Sequence, residues 1–366
     1  MSNFNNFGIY LDTKVTSWHF SHLKETEIAD INYTEYFDIG NFLSSTELQK
    51  FATFHVSFPV DQTWVERLNQ VYEQCTAIFV FCSELHAHTV AQLISLDKPK
   101  INIYICGVIN HDFKQAKIRQ WMDWFNTTVW FYRFDKPQLL EQKLLPQTNK
   151  PKYFDILLGC ERAHRNYVFD YVNQNNLADK MIMTYHRRWN QDLRESDQYI
   201  HEDEDVEFLD PPKHTVQTVR YHGVKLTMSQ IVPLKIYNQS YYSIVTETNA
   251  VNDFNFYTEK IMKPILAGRL FITIAGKDYL KNLRAFGFKT FGNIIDESYD
   301  EEFDSAIRWN KALEQMQMLC SKDPVEVYAQ IAEIVNHNRT IALNKEWYTD
   351  FASEFGNDLT SSLNQI

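Results

Sequence analysis

Residues 241–276 constrain the fold of this chain most, because they alternate β-forming and helix-forming segments at short range. Tyr242–Thr246 is a run of β-formers, the segment from Thr258 to Gly268 has the apolar content of a short helix, and Leu270–Ala275 is β-forming again. This strand–helix–strand order needs two parallel strands and a right-handed crossover. The stretch therefore predicts an α/β protein.

Polar side chains lie at the predicted carboxyl end of the first of these strands. Glu247 follows the strand, and Thr258, Glu259 and Lys260 open the helix. Open α/β sheets bind ligands at the carboxyl ends of their strands, where helix N-termini favour anions. Thr258 is a predicted N-cap, and the helix dipole favours Glu259 in the first turn but not Lys260. An anionic ligand would account for Lys260, whereas a capped, charged first turn would explain the motif without a ligand.

A second polar turn follows the predicted strand Tyr153–Leu158. Its sequence, GCERAHR, places Arg162 and Arg165 at the strand end and in the first turn of a helix. The helix dipole disfavours cations there, so the two arginines need either solvent or an anion. A phosphate would bind both the guanidinium groups and the N–H groups of the helix start. The alternative is a pair of solvated surface arginines.

The first 150 residues predict a further strand–helix–strand unit. Ala77–Cys82 is continuously apolar, as expected of a strand buried on both faces, and Ile101–Cys106 is the next strand. The turn SELHAH between them carries Glu84 and His86 at a strand end, which makes them candidates for catalytic acid–base work. The alternative is that Ser83 and Glu84 cap the following helix and that the histidines face solvent.

Several segments on either side of residue 150 bear on the domain boundary and the core. The spacing of Trp121, Trp124 and Phe125 predicts a helix over Gln115–Phe125, and Val129–Tyr132 is a predicted strand. Phe134–Lys150 holds two prolines among polar residues and is a predicted linker. A helix over residues 303–320 is expected to turn one face to the core, a face that carries Phe303, Ile307, Leu313, Met316 and Cys320.

Composition excludes several classes of protein. The chain has 366 residues, 44% hydrophobic and 23% charged, which suits two globular domains. A net charge of −11 gives no broad electrostatic footprint for nucleic acid or an anionic membrane, although Arg187, Arg188 and Lys213 would supply local positive charge. No signal-peptide pattern and no apolar run of membrane-spanning length is present, so we expect a cytoplasmic protein.

Cysteine and acidic residues give no support for a metal site. The five cysteines form no CxxC pair, which favours free thiols in a reducing compartment. The acidic segment His201–Glu207 has neither the glycine turn nor the ligand spacing of a calcium loop, so a solvated loop is the better interpretation. We expect no bound metal.

Residues 241–276, YYSIVTETNAVNDFNFYTEKIMKPILAGRLFITIAG, resemble the donor-binding segment of α-1,3-fucosyltransferase-like glycosyltransferases. In that family a strand, Glu-Asn, a spacer and Tyr-x-Thr-Glu-Lys precede a helix that ends in Ala-Gly. The turn GCERAHRNYV is similar to a turn of the same family that leads to an arginine at a helix start, and Arg165 matches better than Arg162. The chain departs from the family at Glu247-Thr248, with Asn249 one place later, and in the spacer.

The resemblance implies the GT-B architecture, an α/β fold of two Rossmann-like domains facing each other across a cleft. Residues 1–148 would form the acceptor-side domain and residues 149–340 the nucleotide-sugar-binding domain, with 341–366 packing back on the first. Such enzymes transfer a sugar from a nucleotide-diphosphate sugar to an acceptor hydroxyl of a glycan or saccharide. We expect inversion at the anomeric centre and no metal or other cofactor.

The resemblance also implies roles for individual residues. Glu259 would bind the ribose or base of the donor, Lys260 and Arg165 its diphosphate, and Glu247 its sugar or ribose. Thr258, Asn249 and Arg162 complete the predicted donor-binding set. Glu84, with His86 behind it, would act as the general base from the first domain.

Two alternatives remain open at the level of the sequence. Residues 279–302, YLKNLRAFGFKTFGNIIDESYDEE, resemble glycosyltransferase-like proteins of large viruses and bacteriophages, some of which act on hydroxymethylated bases in DNA. The net charge disfavours a DNA acceptor. The other alternative is a nucleotide- or glycan-binding module without turnover, because fold does not fix function.

Overall fold

The computed structural model describes residues 7–12, 33–56, 63–82, 85, 87–120, 122–185, 206–209, 218–347 and 349–363. The chain divides into two compact units, the first formed by Met1–Asp123 with Glu346–Ile366 and the second by Trp124–Lys345. The predicted boundary at residue 148 therefore lies inside the second unit. Each unit contains a parallel sheet and helices, so the predicted α/β class with two Rossmann-like units is confirmed.

The strands and helices are numbered in chain order. The strands are β1 (Phe7–Leu11), β2 (Tyr33–Tyr36), β3 (Lys50–Val56), β4 (Ala77–Cys82), β5 (Ile101–Ile105), β6 (Val108–Ile109), β7 (Lys117–Gln120), β8 (Lys152–Leu158), β9 (Met181–Tyr185), β10 (Val206–Phe208), β11 (Thr218–Tyr221), β12 (Val224–Thr227), β13 (Ser240–Thr246), β14 (Phe254–Asn255) and β15 (Phe271–Ile274). The α-helices are α1 (Ile39–Ser44), α2 (Trp64–Val71), α3 (Ala87–Ser95), α4 (Asp123–Trp130), α5 (Leu139–Lys143), α6 (Ala163–Gln174), α7 (Leu234–Tyr237), α8 (Glu259–Leu266), α9 (Tyr279–Ala285), α10 (Ser305–Leu319), α11 (Pro324–Asn344) and α12 (Thr349–Leu363).

The first unit is organised around a six-stranded sheet in the order β2-β1-β3-β4-β5-β7. Each of its described pairings is parallel. Strands β4 and β5 are buried along their whole length, as the continuous apolar sequence of β4 predicts for a central strand with both faces covered. The strand order reverses between β1 and β3.

The C-terminal helix α12 belongs to the core of the first unit. Phe355 packs against Phe79, Phe81 and Tyr104 with ring centroids 5.1, 5.3 and 5.4 Å apart. On the same helix, the Asp358 carboxylate accepts hydrogen bonds from the Tyr104 hydroxyl at 2.8 Å and from the guanidinium of Arg119, on β7. The helix is thus held to this sheet by both apolar and charged contacts.

The second unit contains a four-stranded parallel sheet in the order β15-β13-β8-β9 and a separate antiparallel sheet of β10, β11 and β12. Strand β13 is fully buried and lies between β8 and β15. In chain order, β8 pairs with β9 on one side and then with β13 on the other. The strand order therefore reverses between β8 and β13.

A buried ion pair stabilises the middle and amino-terminal part of this second sheet. The Arg269 guanidinium is fully buried and donates to the Asp155 carboxylate at 2.5 Å. Ser240 and Ser243 also donate to that carboxylate, at 2.9 and 3.1 Å. Since every remaining donor of Arg269 meets an oxygen atom, this network is a structural feature of the core.

Three predictions of local structure are wrong. Within Gln115–Phe125, residues Lys117–Gln120 form edge strand β7 and pair with β5 instead of forming a helix. The predicted strand Val129–Tyr132 lies across the end of α4 and a π-helical turn, in which Val129, Phe131 and Tyr132 are buried and Trp130 is exposed. Phe303 and Ile307 are 72% and 50% exposed, because α10 starts at Ser305 after the N-cap Asp304 and turns other residues inward.

Candidate functional site

The candidate site lies where the carboxyl ends of β8 and β13 meet in the second unit. These adjacent strands are parallel, with Ile244 opposite Ile156, so the segments that follow them leave the sheet at the same edge. The segment after β8 leads into α6, and the segment after β13 leads into α8. Because the strand order reverses here, this edge has the topology at which open α/β sheets bind ligands.

Arg165 is a buried cation in the first turn of α6. Its side chain folds back over the turn that precedes the helix, and Nη1 donates to the Cys160 carbonyl at 2.8 Å while Nη2 lies 3.4 Å from the Glu247 carbonyl. Arg165 is only 4% exposed, and its Nε has no hydrogen-bond partner within the part of the chain that the structure describes. Burial lowers the pKa of Arg165, yet a guanidinium keeps its charge in proteins. The solvated-arginine alternative is therefore wrong for Arg165.

The turn before α6 fits the guanidinium closely. A Cβ atom at Gly159 would lie 3.3 Å from Nη1 of Arg165, so the glycine leaves the space that the side chain occupies. Arg162 is the N-cap residue of α6 and has extended backbone, and its side chain makes no capping hydrogen bond. It is half-buried beside the same turn.

His164 was not among the residues predicted from the sequence, but it ties the two strand ends together. Its Nε2 donates to the Glu247 carbonyl at 2.8 Å, which places the ring proton on that nitrogen. Burial, followed by the charge of Arg165, lowers the pKa of His164 to about 3. His164 is thus a neutral, hydrogen-bonded core residue, and a single histidine in a helix start gives no signal of such a role in the sequence.

Glu247 is fully buried, and its carboxylate is satisfied by protein groups. The Thr258 hydroxyl and the Tyr279 hydroxyl each donate to it at 2.7 Å, one to each oxygen. Burial raises the pKa of the Glu247 carboxyl, while Lys260 and the two hydroxyl donors oppose that rise. We therefore interpret Glu247 as the residue that fixes the start of α8 and α9, rather than as a contact to a sugar.

The first turn of α8 carries the predicted cap and two opposite charges. Thr258 is the N-cap, as predicted, and its hydroxyl accepts from the Lys260 backbone N–H at 3.2 Å. The Lys260 ammonium group donates to Glu259 at 2.7 Å and to the Thr248 hydroxyl at 3.1 Å. Burial raises the pKa of Glu259, but Lys260 and Lys263 outweigh it, so the pKa lies below its usual value and the group is ionised.

The loop between β13 and α8 is held close to the sheet. Asn249 is buried, and its side-chain oxygen accepts from the Val251 N–H at 2.8 Å, forming a turn. A Cβ atom at Gly276 would lie 2.0 Å from the Val251 carbonyl, so this position requires glycine for the loop to approach. Asn249 thus shapes the loop of the candidate site.

The cations of the two segments act on one another. The Cys160 thiol has its pKa raised by burial, and Arg165, Arg162 and Lys260 oppose that rise. The same three cations lower the pKa of His164. Residues predicted separately from two distant motifs, 162–165 and 258–260, therefore lie in one electrostatic neighbourhood at the sheet edge.

Some predicted residues lie outside the described part of the chain. These are Glu84 and His86, the candidates for acid–base catalysis, and Arg187, Arg188 and Lys213, the local basic residues. Among the described residues, no group of three or more histidine, cysteine, aspartate or glutamate side chains has an arrangement that would hold a metal ion. No described helix combines the length and apolar character needed to cross a bilayer.

Comparison with known proteins finds a likeness in structure and no match in sequence. No protein-family model matches the chain, and no curated protein sequence matches it either. Among solved structures, the chain is similar to the catalytic domain of starch synthase IV from Arabidopsis thaliana bound to ADP and acarbose, with a TM-score of 0.38 and 10% sequence identity. The match covers 89% of this chain and 76% of that one. At this level of likeness, we base our proposals on this chain's own residues.

Proposed function

We propose that the second unit binds the diphosphate of a nucleotide sugar and that the protein is a glycosyltransferase of the GT-B class, related to the fucosyltransferase-like family that its sequence resembles. The observation that carries the proposal is the buried Arg165, whose Nε is unpartnered among the described residues, at the edge where the strand order reverses. A buried cation with an unused donor is costly unless an anion binds it.

Two further features of this edge favour a diphosphate. Helices α6 and α8 both begin there, and their first N–H groups and dipoles favour a negative charge. Lys260 lies at the start of α8, and its ammonium group donates to a hydroxyl and a carboxylate while its side chain is 29% exposed. A phosphate oxygen could replace one of these contacts without a large rearrangement.

Glu259 adds selectivity for the nucleoside part of the donor. Its carboxylate is ionised, largely buried and held by Lys260. An ionised carboxylate accepts hydrogen bonds only, so it suits a ribose diol or an amino group of a base. Thr258 and Glu247 would act indirectly, by fixing the first turn from which Glu259 and Lys260 project.

In the proposed reaction, an acceptor hydroxyl attacks the anomeric carbon and the nucleoside diphosphate leaves. Negative charge develops on the leaving phosphate, and Arg165, Lys260 and the helix N-termini would stabilise it as fixed positive groups. A single displacement would invert the anomeric centre, with no metal required. The acceptor hydroxyl must lose a proton to a general base. Glu84 or His86 in the first unit remains our candidate for that base, and a glycan or saccharide remains our candidate acceptor.

A thermal-shift screen with nucleoside diphosphates and nucleotide sugars, run with a chelator present, tests the proposal. A ligand that binds only the folded state raises the melting temperature, so the preferred base and sugar will give the largest shift. Lys260→Gln should weaken the affinity for the best ligand about 10- to 100-fold, because a charge-assisted hydrogen bond contributes about 1.5–3 kcal/mol.

Lys281→Gln is the matched control, because Lys281 lies on α9 of the same unit with a side chain that is 67% exposed. It should leave the affinity unchanged. Equal affinity of the Lys260→Gln variant and the wild type would contradict the proposal. Binding without transfer to any acceptor would instead favour a non-catalytic module, and transfer to hydroxymethylated DNA would identify the phage-type activity.

A further inference from the structure

Cys160 differs from the other cysteines of this chain in its surroundings. All five cysteines are free thiols, and four of them, Cys75, Cys82, Cys106 and Cys320, are buried. Cys160 is half-buried and lies at the carboxyl end of β8, in the turn that leads to α6. A reagent in solution therefore has one accessible thiol to react with.

Cys160 also lies close enough to Arg165, Arg162 and Lys260 for their charges to act on it. The Cys160 carbonyl accepts from the buried guanidinium of Arg165, the side chain whose Nε has no partner among the described residues. Arg165, Arg162 and Lys260 all favour the thiolate over the thiol, although burial raises the pKa of Cys160 overall. The thiol thus lies within the field of the cations that we assign to the donor diphosphate.

We infer that Cys160 is a thiol-modification site at which a small anionic disulfide blocks the phosphate-binding site. This inference rests on the proposed function for its consequence, since the blocked ligand is the nucleotide. In the reaction, the Cys160 thiolate attacks one sulfur of the disulfide, the S–S bond of the reagent breaks, and a mixed disulfide forms. The Cys160 thiol loses its proton to solvent, and the released thiolate takes up a proton from solvent. The oxidant is the disulfide itself, and a thiol reductant reverses the step.

The charge of the reagent decides how fast it reacts. Arg165, Arg162 and Lys260 favour an anionic reagent over a cationic one, while Glu161, the next residue, and Glu259, which is paired with Lys260, make that preference smaller. Once attached, an anionic group also occupies the position where the cations would otherwise hold a phosphate. A nucleotide that is already bound should shield the thiol for the same reason. The site therefore predicts both a charge preference and mutual exclusion with nucleotide.

The test treats the whole chain with two methanethiosulfonates of similar size, one with a sulfonate group and one with a trimethylammonium group. These reagents form the same kind of mixed disulfide with a thiolate and release methanesulfinate. Mass spectrometry should find Cys160 as the residue labelled under native conditions. The anionic reagent should react roughly ten-fold faster than the cationic one, relative to their rates with free cysteine. Lys260→Gln should reduce that ratio, and Lys281→Gln should not.

Nucleotide binding provides a second test of the inference. The nucleoside diphosphate that gives the largest thermal shift should slow labelling of Cys160, and the labelled protein should lose that shift until a thiol reductant is added. Cys160→Ser should show the same nucleotide affinity before and after treatment with the reagent. Complete labelling of Cys160 with unchanged nucleotide affinity would overturn the inference and leave the proposed function intact. An untreated protein that binds no nucleotide would overturn the proposed function, whereas the ratio of labelling rates would still measure the cationic field around Cys160.

Discussion

At the scale of single residues, the candidate site depends on how a buried histidine and a buried arginine share one carbonyl. His164 and Arg165 both point hydrogen-bond donors at the Glu247 carbonyl. His164 can donate there as a neutral ring, and so adds no further positive charge beside Arg165. Burial disfavours the protonated ring, and protonation would also place a third cation next to Arg165 and Arg162, so both effects lower the pKa of His164.

This arrangement predicts a specific loss of stability in acid. The pKa of His164 is about 3 in the folded protein and near 6.5 in an unfolded chain. Between these values the unfolded state binds more protons, so the free energy of unfolding should fall as pH drops from about 6.5 towards 3. The slope from this group is at most about 1.4 kcal/mol per pH unit. Urea unfolding at a series of pH values measures it.

His164→Gln tests the assignment, because glutamine can donate to the same carbonyl and does not titrate. The variant should show a shallower decline in acid than the wild type. His337→Gln is the control, because His337 also bonds a backbone carbonyl, that of Gly287, but does so through an exposed hydrogen bond. It should keep the wild-type pH profile. Parallel curves for wild type and His164→Gln would show that His164 is not the group responsible.

The sequence supported only part of this description. Thr258, Glu259, Lys260 and Arg165 could be placed at helix starts, since caps and dipoles follow from local rules. The burial of Glu247 could not be foreseen, because it depends on Tyr279, a residue 32 positions later whose hydroxyl closes over the carboxylate. His164 was missed for a similar reason, as its partner is a backbone carbonyl 83 residues away.

At the scale of elements, central strands were predicted well and edges poorly. Ala77–Cys82 is a strand with the predicted bounds, and the predicted strand Tyr242–Thr246 lies within β13, because buried parallel strands are continuously apolar and bounded by polar residues. Lys117–Gln120 was assigned to a helix because this edge strand is short and charged. Its place in the sheet depends on pairing with β5 and on the contact from Arg119 to α12. Both are long-range interactions that local periodicity does not report.

The start of α8 is the element whose position matters most for the proposed site, and Tyr279 is expected to hold it. Tyr279→Phe removes the hydroxyl that donates to Glu247 and leaves one oxygen of a buried carboxylate with weaker partners. The expected loss of stability is about 1–3 kcal/mol. Nucleotide affinity should fall as well, because Glu247 then holds Thr258 less firmly. Urea unfolding and calorimetric titration measure the two effects.

Tyr167→Phe is the matched control for this substitution. The Tyr167 hydroxyl lies 3.5 Å from the Asn310 side chain at a partly exposed position on α6, so its removal should change neither quantity appreciably. If Tyr279→Phe behaved like Tyr167→Phe in both measurements, Glu247 would not depend on this hydrogen bond, and its role as the anchor of α8 would have to be abandoned.

At the scale of the whole molecule, the two units repeat one topological pattern. In each parallel sheet the first strand is flanked by the second on one side and by the third on the other, β2-β1-β3 in the first unit and β9-β8-β13 in the second. The alternation of strands and helices in the sequence predicts parallel sheets, but it does not fix their boundary. Residues 124–150 belong to the second unit, and they include the predicted linker Phe134–Lys150. The Leu145 N–H, for example, donates to the Asn238 side-chain oxygen at 2.8 Å.

The return of the chain to the first unit through α12 leads to the last prediction. Phe355 is fully buried against β4 and β5, so Phe355→Ala should destabilise the first unit by about 3–5 kcal/mol through lost contacts and a cavity. Hydrogen exchange should accelerate in β4 and β5 and stay unchanged in β13, which lies in the second unit. Leu48→Ala, at an 87% exposed position of the first unit, should leave both regions as in the wild type. Equal protection of β4 in wild type and Phe355→Ala would mean that α12 contributes little to the first unit, and its assignment to that core would be wrong.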